Sequence, residues 1–528
     1  MPALLDAVVA TLLGSCVFLV HDVGYLLHHP YWLDESWVAD STRAPLTSVP
    51  FMTSSSPLGW TYLLRVAVVG GEQRARLVPL AFAGLAVGLA YYLGRELRPG
   101  NILTGLLCGT AVLLVPAMLV RDDLKQYTAE AAATLLLVLL LARLETEWSR
   151  SRLFALVVGC VVALVFASTV LFTATAVFVS LVLVAAVRAE WRRLRDAAVG
   201  AAIAAAGMGV VYLVLLRPHR TAMLTAYWRH FYLPTNAGAG GLVDFVRLHG
   251  GDLAPYVGFR HWGITLVLFV AGTWTLWRWH RQELAIVVPL LALFVSVASA
   301  RRLYPFLDLR TSTFWIVVVA VVMAIGVAGV VELASTASRP FGLALLAAAV
   351  VVYAIVVGPF LRSHDLPNED VRSQVRYVEQ HRRPDDAVII DFSADWGFAY
   401  YARDVAVHYR DTGAFGFGFG PTYPDDRAVL QTPSRLPADI ERTAAAAKAV
   451  AFQRPDGRIW LIRSHVPAAV DEAWRRAFAT DDVQQVCTGP EPLWSVTPST
   501  PGRRGRFDAC PAPAAGQVAR DRAARLHP

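Results

Sequence analysis

Long apolar runs separated by short polar breaks occupy the first 360 residues of the chain. A helix needs about 20 mostly apolar residues to cross the hydrocarbon core of a bilayer. Counting such runs predicts about eleven membrane spans. They lie near residues 3–20, 75–94, 101–120, 126–143, 152–168, 170–187, 197–216, 262–278, 284–300, 312–331 and 341–360. The first run lacks a basic stretch and an obvious small-residue cleavage site, so we expect a retained span and not a removed signal peptide.

The remaining residues, 361–528, are mixed and polar, and none of their apolar runs is long enough to span. Their periodicity predicts an α/β domain in which helices alternate with strands of one small sheet. The predicted helices are 369–381, 396–402 and 468–477, and the predicted strands are 387–391, 458–463 and 493–496. The sequence therefore divides into a transmembrane domain at 1–360, an α/β domain at 361–498 and a tail at 499–528.

Two segments of the polar region lack a clear pattern of helix or strand. From residue 498 onward Pro, Gly, Ala and Arg dominate, a composition that predicts a disordered tail. The Gly- and Phe-rich stretch 413–420 superficially resembles a phosphate-binding loop. It does not join a clear strand to a helix, so we expect a flexible loop there.

Composition agrees with a membrane protein. The chain is 55% hydrophobic and 17% charged, whereas soluble domains average about 25% charged residues. The net charge of +7 comes almost wholly from arginine, because lysine occurs only at Lys125 and Lys448. The basic residues lie between the apolar runs, and no basic patch is interleaved with aromatic residues in the polar region. We therefore expect no nucleic-acid partner.

The arginines of the short connections indicate which side of the membrane each loop faces, because cytoplasmic loops carry an excess of Lys and Arg. One side collects Arg95, Arg98, Arg143, Arg150, Arg152, Arg188, Arg192, Arg193, Arg195, Arg278 and Arg281. With that side assigned to the cytoplasm, we expect a multi-pass cell-membrane protein whose C-terminal domain is extracytoplasmic. The opposite side receives loops 21–74, 121–125, 217–261 and 301–311, whose arginines are mixed with Asp, His, Tyr and Trp.

The chain has five cysteines, and its sequence contains neither a CxxC nor an HExxH metal-binding motif. Three of them lie inside apolar runs, where a small buried side chain is the ordinary interpretation. Cys487 and Cys510 lie in the polar region. They could form a disulfide if that region is extracytoplasmic, or they could remain reduced.

The first candidate for chemistry is the pair Asp34 and Glu35, which follows the first apolar run and lies between Tyr31, Trp32 and Trp37. Charge at a membrane face is costly and is usually functional. A carboxylate there is a candidate general base. The alternative is a solvated loop acid or an N-cap for a short interfacial helix.

The second candidate is the turn 121–127 between two predicted spans, with the sequence RDDLKQY. A mere turn needs only one or two polar residues, whereas this one contains five charged or hydroxylated residues and the only lysine of the first 360 residues. We expect it to bind substrate through Asp122, Asp123, Lys125 and Tyr127, with Lys125 and Tyr127 holding an anionic group. The alternative is that these side chains snorkel to the interface.

The third candidate is the loop 301–310, with the sequence RRLYPFLDLR. Its three arginines lie on the side opposite the topology signal, and guanidinium groups bind phosphate in bidentate fashion. The candidate substrate-binding residues are Arg301, Arg302, Tyr304 and Arg310. The alternative is that the arginines pair with acidic headgroups or with Asp308.

These pieces, in this order, resemble the GT-C glycosyltransferases. The resemblance is to family 39-type bacterial enzymes, which are related to the protein O-mannosyltransferases and the lipid A aminoarabinose transferase. Its parts are L-D-E-S at 33–36, S-S-P-L-G-W at 55–60, E-Q-R-A-R-L at 72–77, D-x-K-Q-Y at 123–127, Y-P-F-x-x-x-R at 304–310, and a helix, R-R-P-D-D and strand at 375–391. Each motif is loose by itself, so their order and topology carry the resemblance.

The resemblance implies transfer of a sugar from a polyprenyl-phosphate donor to a hydroxyl of a cell-envelope glycan, lipid or protein, on the extracytoplasmic face. Asp34 would be the general base, giving inversion at the anomeric carbon, and Glu35 would orient or tune it. The departing lipid phosphate would be stabilised by Lys125, Tyr127 and some of the three loop arginines, Arg301, Arg302 and Arg310. Membrane lipids would surround the spans.

The same resemblance leaves two points open. No metal or other cofactor is required, because Lys and Arg can neutralise a monophosphate leaving group. Other GT-C branches use a divalent ion, however, so Asp34 and Asp123 as metal ligands remain an alternative. The chain also has two adjacent acids, Asp122 and Asp123, where the motif needs one.

Two other classes of protein fit the same spans. A lipid or glycan flippase would explain many helices and basic residues facing a cavity. The spans show no evident two-halved repeat of the kind common in transporters, and the candidate acids lie at the outer surface instead of mid-membrane. A non-catalytic GT-C-like protein that only binds its ligands is the other alternative.

Overall fold

A computed structural model describes residues 2–52, 56–67, 74–121, 123–216, 222–364, 366–411, 419–499 and 505–510. The chain folds as two units. The membrane unit comprises Met1–Leu27 and Ser54–Asp365, and the α/β unit comprises His28–Thr53 and Leu366–Pro528. The segment that carries Asp34 and Glu35 is thus part of the α/β unit.

The first nineteen α-helices precede the sheet. They are α1 (Pro2–Ser15), α2 (Val17–Val20), α3 (Val23–His28), α4 (Leu33–Arg43), α5 (Val49–Met52), α6 (Leu58–Ala67), α7 (Leu77–Leu97), α8 (Ile102–Leu114), α9 (Pro116–Leu119), α10 (Tyr127–Thr146), α11 (Arg150–Phe166), α12 (Val170–Val187), α13 (Trp191–Val211), α14 (Ala222–Tyr227), α15 (Gly238–Val257), α16 (Trp262–Arg278), α17 (Gln282–Ala300), α18 (Leu309–Ala337) and α19 (Arg339–Val357). Short 3-10 turns lie at Arg74–Arg76, Trp228–Phe231 and Gly358–Phe360, and a π-helical turn lies at Tyr212–Leu216.

Each of the eleven predicted spans coincides with a helix, and the first, third, seventh and eleventh also include a short helical segment or turn that continues it. Among the described residues, seven helices are individually long and apolar enough to cross a membrane. The pair α15 and α16, bent by 66°, gives an eighth if it counts as one span. The prediction of a multi-pass helical membrane protein is confirmed. Helix α15 lies in the segment 217–261, where the sequence indicated only a loop.

Small residues let two long helices of the membrane unit approach closely. On α16, Gly272 lies against the backbone of Val322 in α18, where a Cβ would not fit. A Cβ on Gly326 of α18 would lie 2.5 Å from the carbonyl oxygen of Leu268. Lipid tails are as apolar as the helices, so association inside a membrane depends on such close packing and not on the hydrophobic effect.

The described residues of the α/β unit form four further helices and eight strands. The helices are α20 (Val371–His381), α21 (Asp395–Tyr401), α22 (Pro437–Ala451) and α23 (Ala468–Ala477), and a 3-10 turn lies at Phe392–Ala394. The strands are β1 (Ala387–Ile390), β2 (His408–Asp411), β3 (Phe419–Thr422), β4 (Val429–Gln431), β5 (Ile459–Ile462), β6 (Asp482–Val486), β7 (Leu493–Thr497) and β8 (Phe507–Asp508). All three predicted helices and all three predicted strands of this region are present.

Six strands form one mixed sheet in the order β4-β1-β5-β7-β6-β8, and β2 pairs with β3 separately. Strand β1 is parallel to both β4 and β5, with Ile389 opposite Leu430 and Leu461. Strand β7 is antiparallel to β5 and β6. Helices α22 and α23 cover the sheet over a core that includes Ile389, Leu461 and Trp474. The predicted small layered sheet domain is therefore confirmed.

The sequence did not predict α22 and five of the strands. The buried face of α22 consists mainly of alanines, such as Ala444 and Ala447, so its apolar stripe is weak. Strand β2 is polar and mostly exposed, and therefore lacks the alternation that marks a half-buried strand.

The C-terminal part of the α/β unit is joined by a disulfide between Cys487 and Cys510, whose Cα atoms are 5.8 Å apart. Strand β8 lies just before Cys510 and pairs in parallel with β6. The predicted tail thus includes a short ordered strand, while its residues 500–504 and 511–528 lie outside the described part of the chain. Most of the predicted flexible loop 413–420 also lies outside it, and residues 419 and 420 belong to β3.

Candidate functional site

The acidic pair lies in the first turn of helix α4, which belongs to the α/β unit. Trp32 precedes the helix in an extended conformation, and Asp34 and Glu35 follow within its first turn. Negative side chains are favoured at this end of a helix because the backbone N–H groups there carry partial positive charge. Asp34 is half-buried, whereas Glu35 is fully buried. Asp34 is therefore the more accessible carboxylate of the two.

Three hydrogen bonds hold the start of α4. The backbone N–H of Leu33 donates to Oε2 of Glu369 at 2.9 Å, and that of Tyr31 donates to the hydroxyl of Tyr401 at 2.8 Å. The hydroxyl of Ser36 donates to the carbonyl oxygen of Tyr31 at 3.2 Å. The acceptor side chains for Leu33 and Tyr31 come from sequence positions more than 300 residues away. The bond to Leu33 satisfies a donor that a helix start leaves without an intrahelical partner.

Aromatic packing fixes the rest of α4 against α21. The ring of Trp37 stacks on Trp396 with centroids 5.7 Å apart, and its indole N–H donates to the carbonyl oxygen of Met52 at 2.8 Å. Near the other end of the helix, the guanidinium of Arg43 lies 3.7 Å from the centre of the Tyr400 ring. Arg43 also donates to the carbonyl oxygen of Tyr400. The aromatic residues around the acidic pair thus serve as packing contacts for the helix.

A buried acidic network joins α4 to the strands of the α/β unit. Tyr409 donates its hydroxyl to Oδ1 of Asp40 at 2.8 Å, and Tyr423 donates to Oδ1 of Asp395 at 3.0 Å. Burial raises the pKa of Asp40 to about 7, against the lowering effects of the Tyr409 hydroxyl and the Arg43 charge. Burial also raises the pKa of Asp395 well above its usual value, and the nearby Asp40 charge adds to that rise.

The second candidate, the turn before α10, is buried in the membrane unit. Arg121, Asp123 and Lys125 are each only 3–4% exposed, and an Arg121 nitrogen lies 3.8 Å from an Asp123 oxygen. Two side chains from the α6 region hold the turn. Trp60 donates its indole N–H to the carbonyl oxygen of Leu124 at 2.8 Å, and Ser56 donates to Oε1 of Gln126 at 3.1 Å. Such burial argues against the alternative that these charges snorkel to a hydrated interface. Asp122 lies outside the described residues.

A buried carboxylate that the sequence analysis missed follows this turn. Glu130 lies in the first turn of α10, is buried, and accepts a hydrogen bond from the Ser168 hydroxyl at 3.2 Å. Burial raises the pKa of Tyr304 well above its usual value, and the charges of Glu130, Tyr127 and Asp308 add to that rise. The signal for Glu130 was present, because a lone acid inside an apolar span is a functional candidate by default.

The third candidate loop divides into exposed and packed parts. Arg301 and Arg302 are exposed, and within the described residues neither side chain forms a hydrogen bond or an ion pair. Tyr304 donates its hydroxyl to the carbonyl oxygen of Thr311 at 3.0 Å. Asp308 is the N-cap of α18 and accepts the N–H of Thr311 at 3.0 Å. Its carboxylate therefore has a structural role at the start of that helix.

Arg310 differs from the other two arginines because aromatic side chains surround it. Its guanidinium donates to the hydroxyl of Tyr227 at 2.9 Å and lies 5.2 Å from the centre of the Trp228 ring. These contacts occupy part of its hydrogen-bonding capacity. Tyr127, Glu130 and Tyr304 belong to the membrane unit, whereas the acidic pair Asp34 and Glu35 belongs to the α/β unit.

The described residues do not provide an evident metal centre. Among them, no group of three or more His, Cys, Asp or Glu side chains is placed so that it could hold a metal ion. Carboxylates and imidazoles in such groups are the usual protein ligands of divalent ions.

Comparison with known proteins identifies the fold. No protein-family model and no curated protein sequence matches this chain. Among solved structures, the oligosaccharyltransferase of Archaeoglobus fulgidus in complex with Zn and sulfate matches with a TM-score of 0.53 and 13% identity, over 93% of this chain and 73% of that one. The same oligosaccharyltransferase, AglB, with an inhibitory peptide and a dolichol-phosphate, matches with a TM-score of 0.53 and 12% identity, over 95% and 75%.

A third solved structure agrees with these two. ArnT from Cupriavidus metallidurans bound to undecaprenyl phosphate matches with a TM-score of 0.50 and 13% identity, over 94% of this chain and 97% of that one. All of these proteins are GT-C membrane glycosyltransferases. The chain therefore has the GT-C fold, as its motifs predicted.

Proposed function

We propose that this protein is an integral-membrane glycosyltransferase that moves a sugar from a polyprenyl-phosphate donor to a hydroxyl group of a cell-envelope glycan, lipid or protein. The observation that carries the proposal is the GT-C fold combined with a half-buried carboxylate, Asp34, in the first turn of α4. The similar structures contain dolichol-phosphate in one case and undecaprenyl phosphate in another, which supports a lipid phosphate as the carrier.

In this reaction Asp34 is the general base. Its carboxylate takes the proton of the acceptor hydroxyl while that oxygen forms a bond to the anomeric carbon of the sugar. The bond from the anomeric carbon to the phosphate oxygen breaks, and its electron pair leaves with the polyprenyl phosphate. Attack opposite the leaving group inverts the anomeric configuration. Glu35 is fully buried, and we assign it to orienting the base.

The departing phosphate needs positive charge and hydrogen-bond donors, and these act most strongly where water is excluded. Lys125 is buried, and it lies two residues before Tyr127 in a turn that Trp60 and Ser56 hold in place. We assign Lys125 and Tyr127 to the phosphate. Arg301 and Arg302 are exposed, and we assign them to attracting the anionic lipid headgroup as it approaches. Tyr304 and Arg310 belong to the same loop, where Tyr304 bonds to Thr311 and Arg310 bonds to Tyr227.

We further propose that the α/β unit is extracytoplasmic, so that transfer occurs on that face. The disulfide between Cys487 and Cys510 supports this assignment, because disulfides persist in oxidising compartments and are rare in the cytosol. The positive-inside pattern of the short connections agrees with it.

A divalent metal is not needed by this chemistry, since Lys and Arg can neutralise a monophosphate. One similar structure does contain Zn. The described residues do not offer a cluster that fits a metal, so no step of the reaction is assigned to one.

The proposal is tested with purified protein in lipid nanodiscs and tritiated undecaprenyl-phosphate mannose or undecaprenyl-phosphate arabinose. Cell-envelope extract supplies the acceptor. Transfer of label to the extract, with release of undecaprenyl phosphate, supports an enzyme. Binding of the donors without release would contradict the proposal and indicate a flippase or a binding protein.

A further inference from the structure

We propose that Glu369 is a positioning residue for the candidate base: its carboxylate fixes the first turn of α4, and through that turn it sets the place of Asp34. The inference rests on the proposed function of Asp34, but the contact itself can be tested separately. Glu369 precedes α20 in sequence, and both α20 and α4 belong to the α/β unit.

The carboxylate of Glu369 is buried, and both of its oxygens have hydrogen-bond partners. The side chain is 5% exposed. Its Oε2 atom accepts the backbone N–H of Leu33 at 2.9 Å and the hydroxyl of Ser464 at 3.0 Å. Its Oε1 atom lies 2.9 Å from Nδ1 of His465. Both oxygens are therefore occupied, and the carboxylate cannot rotate without breaking one of these contacts.

The contact with Leu33 matters because Leu33 is the first residue of α4. The first N–H groups of a helix have no intrahelical acceptor, and Trp32, which occupies the N-cap position, gives no side-chain cap. Glu369 supplies the missing acceptor from a distant part of the chain. Asp34 is the next residue after Leu33, so the contact constrains the backbone one residue before the candidate base.

The residues that hold Glu369 lie directly after β5, which is parallel to its neighbour β1 and antiparallel to its other neighbour β7. In sheets of this kind the loops after the carboxyl ends of strands commonly carry function. His465 adopts a φ of 51°, which is unusual for a residue other than glycine. Strain of this kind persists where the surrounding structure over-determines it. Glu491 contributes by accepting the backbone N–H of His465 at 3.0 Å.

Two substitutions remove the contact from opposite sides. Glu369→Ala removes the acceptor. Leu33→Pro removes the donor with little expected harm to the helix, because proline is favoured at the first helical position and Trp32 is already extended. The matched control is Asp370→Ala, because Asp370 caps the neighbouring helix α20 by accepting the N–H of Ser373 at 2.9 Å.

The first readout is amide hydrogen exchange of residues 31–37 in the full chain in nanodiscs. We expect Glu369→Ala to raise exchange there by about tenfold, the effect of losing one hydrogen bond to a charged group. Asp370→Ala should raise exchange in α20 and leave residues 31–37 unchanged. Unchanged exchange at residues 31–37 in Glu369→Ala would overturn the positioning contact. If Glu369→Ala does not fold, unchanged exchange in Leu33→Pro would overturn it instead.

The second readout is transfer of tritiated sugar from the undecaprenyl-phosphate donors. We expect Glu369→Ala and Leu33→Pro each to lower kcat by about tenfold with the donor KM unchanged, and the double variant to lose no more than either single one. In an Asp34→Asn background, the effect of Glu369→Ala on the residual rate should vanish. An undiminished effect in that background, or additive losses in the double variant, would overturn the inference. A wild-type protein that transfers no sugar would instead refute the proposed function, and the exchange experiment would still decide the contact.

Discussion

The buried acid Asp40 makes the stability of the α/β unit depend on pH in a predictable direction. Its carboxyl accepts a hydrogen bond from Tyr409, and burial raises its pKa to about 7 from an ordinary value of 3.8. The folded state therefore keeps a proton that the unfolded chain releases between these two values. Stability from this group is fully present below the unfolded pKa and is lost as the pH rises through about 7.

The size of the effect follows from the same two values. One pKa unit corresponds to about 1.4 kcal/mol, so the free energy of unfolding that Asp40 contributes falls in total by on the order of 4 kcal/mol once the pH exceeds 7. Roughly 3 kcal/mol of it develops between pH 5 and pH 8, because part of the change has already occurred below pH 5. Substituting Asp40→Asn keeps an oxygen that accepts from Tyr409 but removes the titrating proton.

The assay is urea unfolding of the full chain in nanodiscs at pH 5 and pH 8, followed by tryptophan fluorescence. We expect the wild-type α/β unit to lose stability over this range and the Asp40→Asn variant to lose about 3 kcal/mol less. Asp404→Asn, a change at an exposed acid, is the matched control and should keep the wild-type pH dependence. An equal loss of stability in wild type and Asp40→Asn would refute the reasoning.

Two further predictions concern the membrane unit. Lys125→Ala should weaken the binding of undecaprenyl phosphate by about 10- to 100-fold, because a buried charged hydrogen bond to phosphate is lost; unchanged affinity in a titration followed by native mass spectrometry would contradict its assigned role. Gly272→Val should lower the detergent stability and yield of the protein, because a side chain there overlaps the backbone of Val322. Gly263→Ala on the same helix meets nothing within 4 Å and should behave as wild type in size-exclusion chromatography.

Much of the membrane unit could be predicted from the sequence, because a bilayer imposes a length and an apolar composition on every span. The eleven predicted segments all coincide with helices for that reason. Long helices are recognisable by themselves, whereas their partners are not: nothing local in the sequence indicates that Gly272 faces Val322.

The environment of the acidic pair was less predictable. Its residue types and aromatic neighbours were visible in the sequence, but the contacts that hold it join Tyr31 to Tyr401 and Leu33 to Glu369, more than 300 residues apart. No periodicity encodes such long-range pairs. Glu130 is a different case, since its position inside an apolar run was a local signal that the sequence analysis did not use.

The central claim is that Asp34 acts as the base in a sugar transfer, and one substitution tests it most directly. Asp34→Asn keeps the shape of the side chain and removes its ability to take a proton. We predict that the variant folds with the wild-type elution profile in detergent, still binds undecaprenyl phosphate, and transfers tritiated sugar to the cell-envelope acceptor at least about 1,000-fold more slowly than wild type. Transfer by Asp34→Asn at a rate near that of wild type would contradict the account.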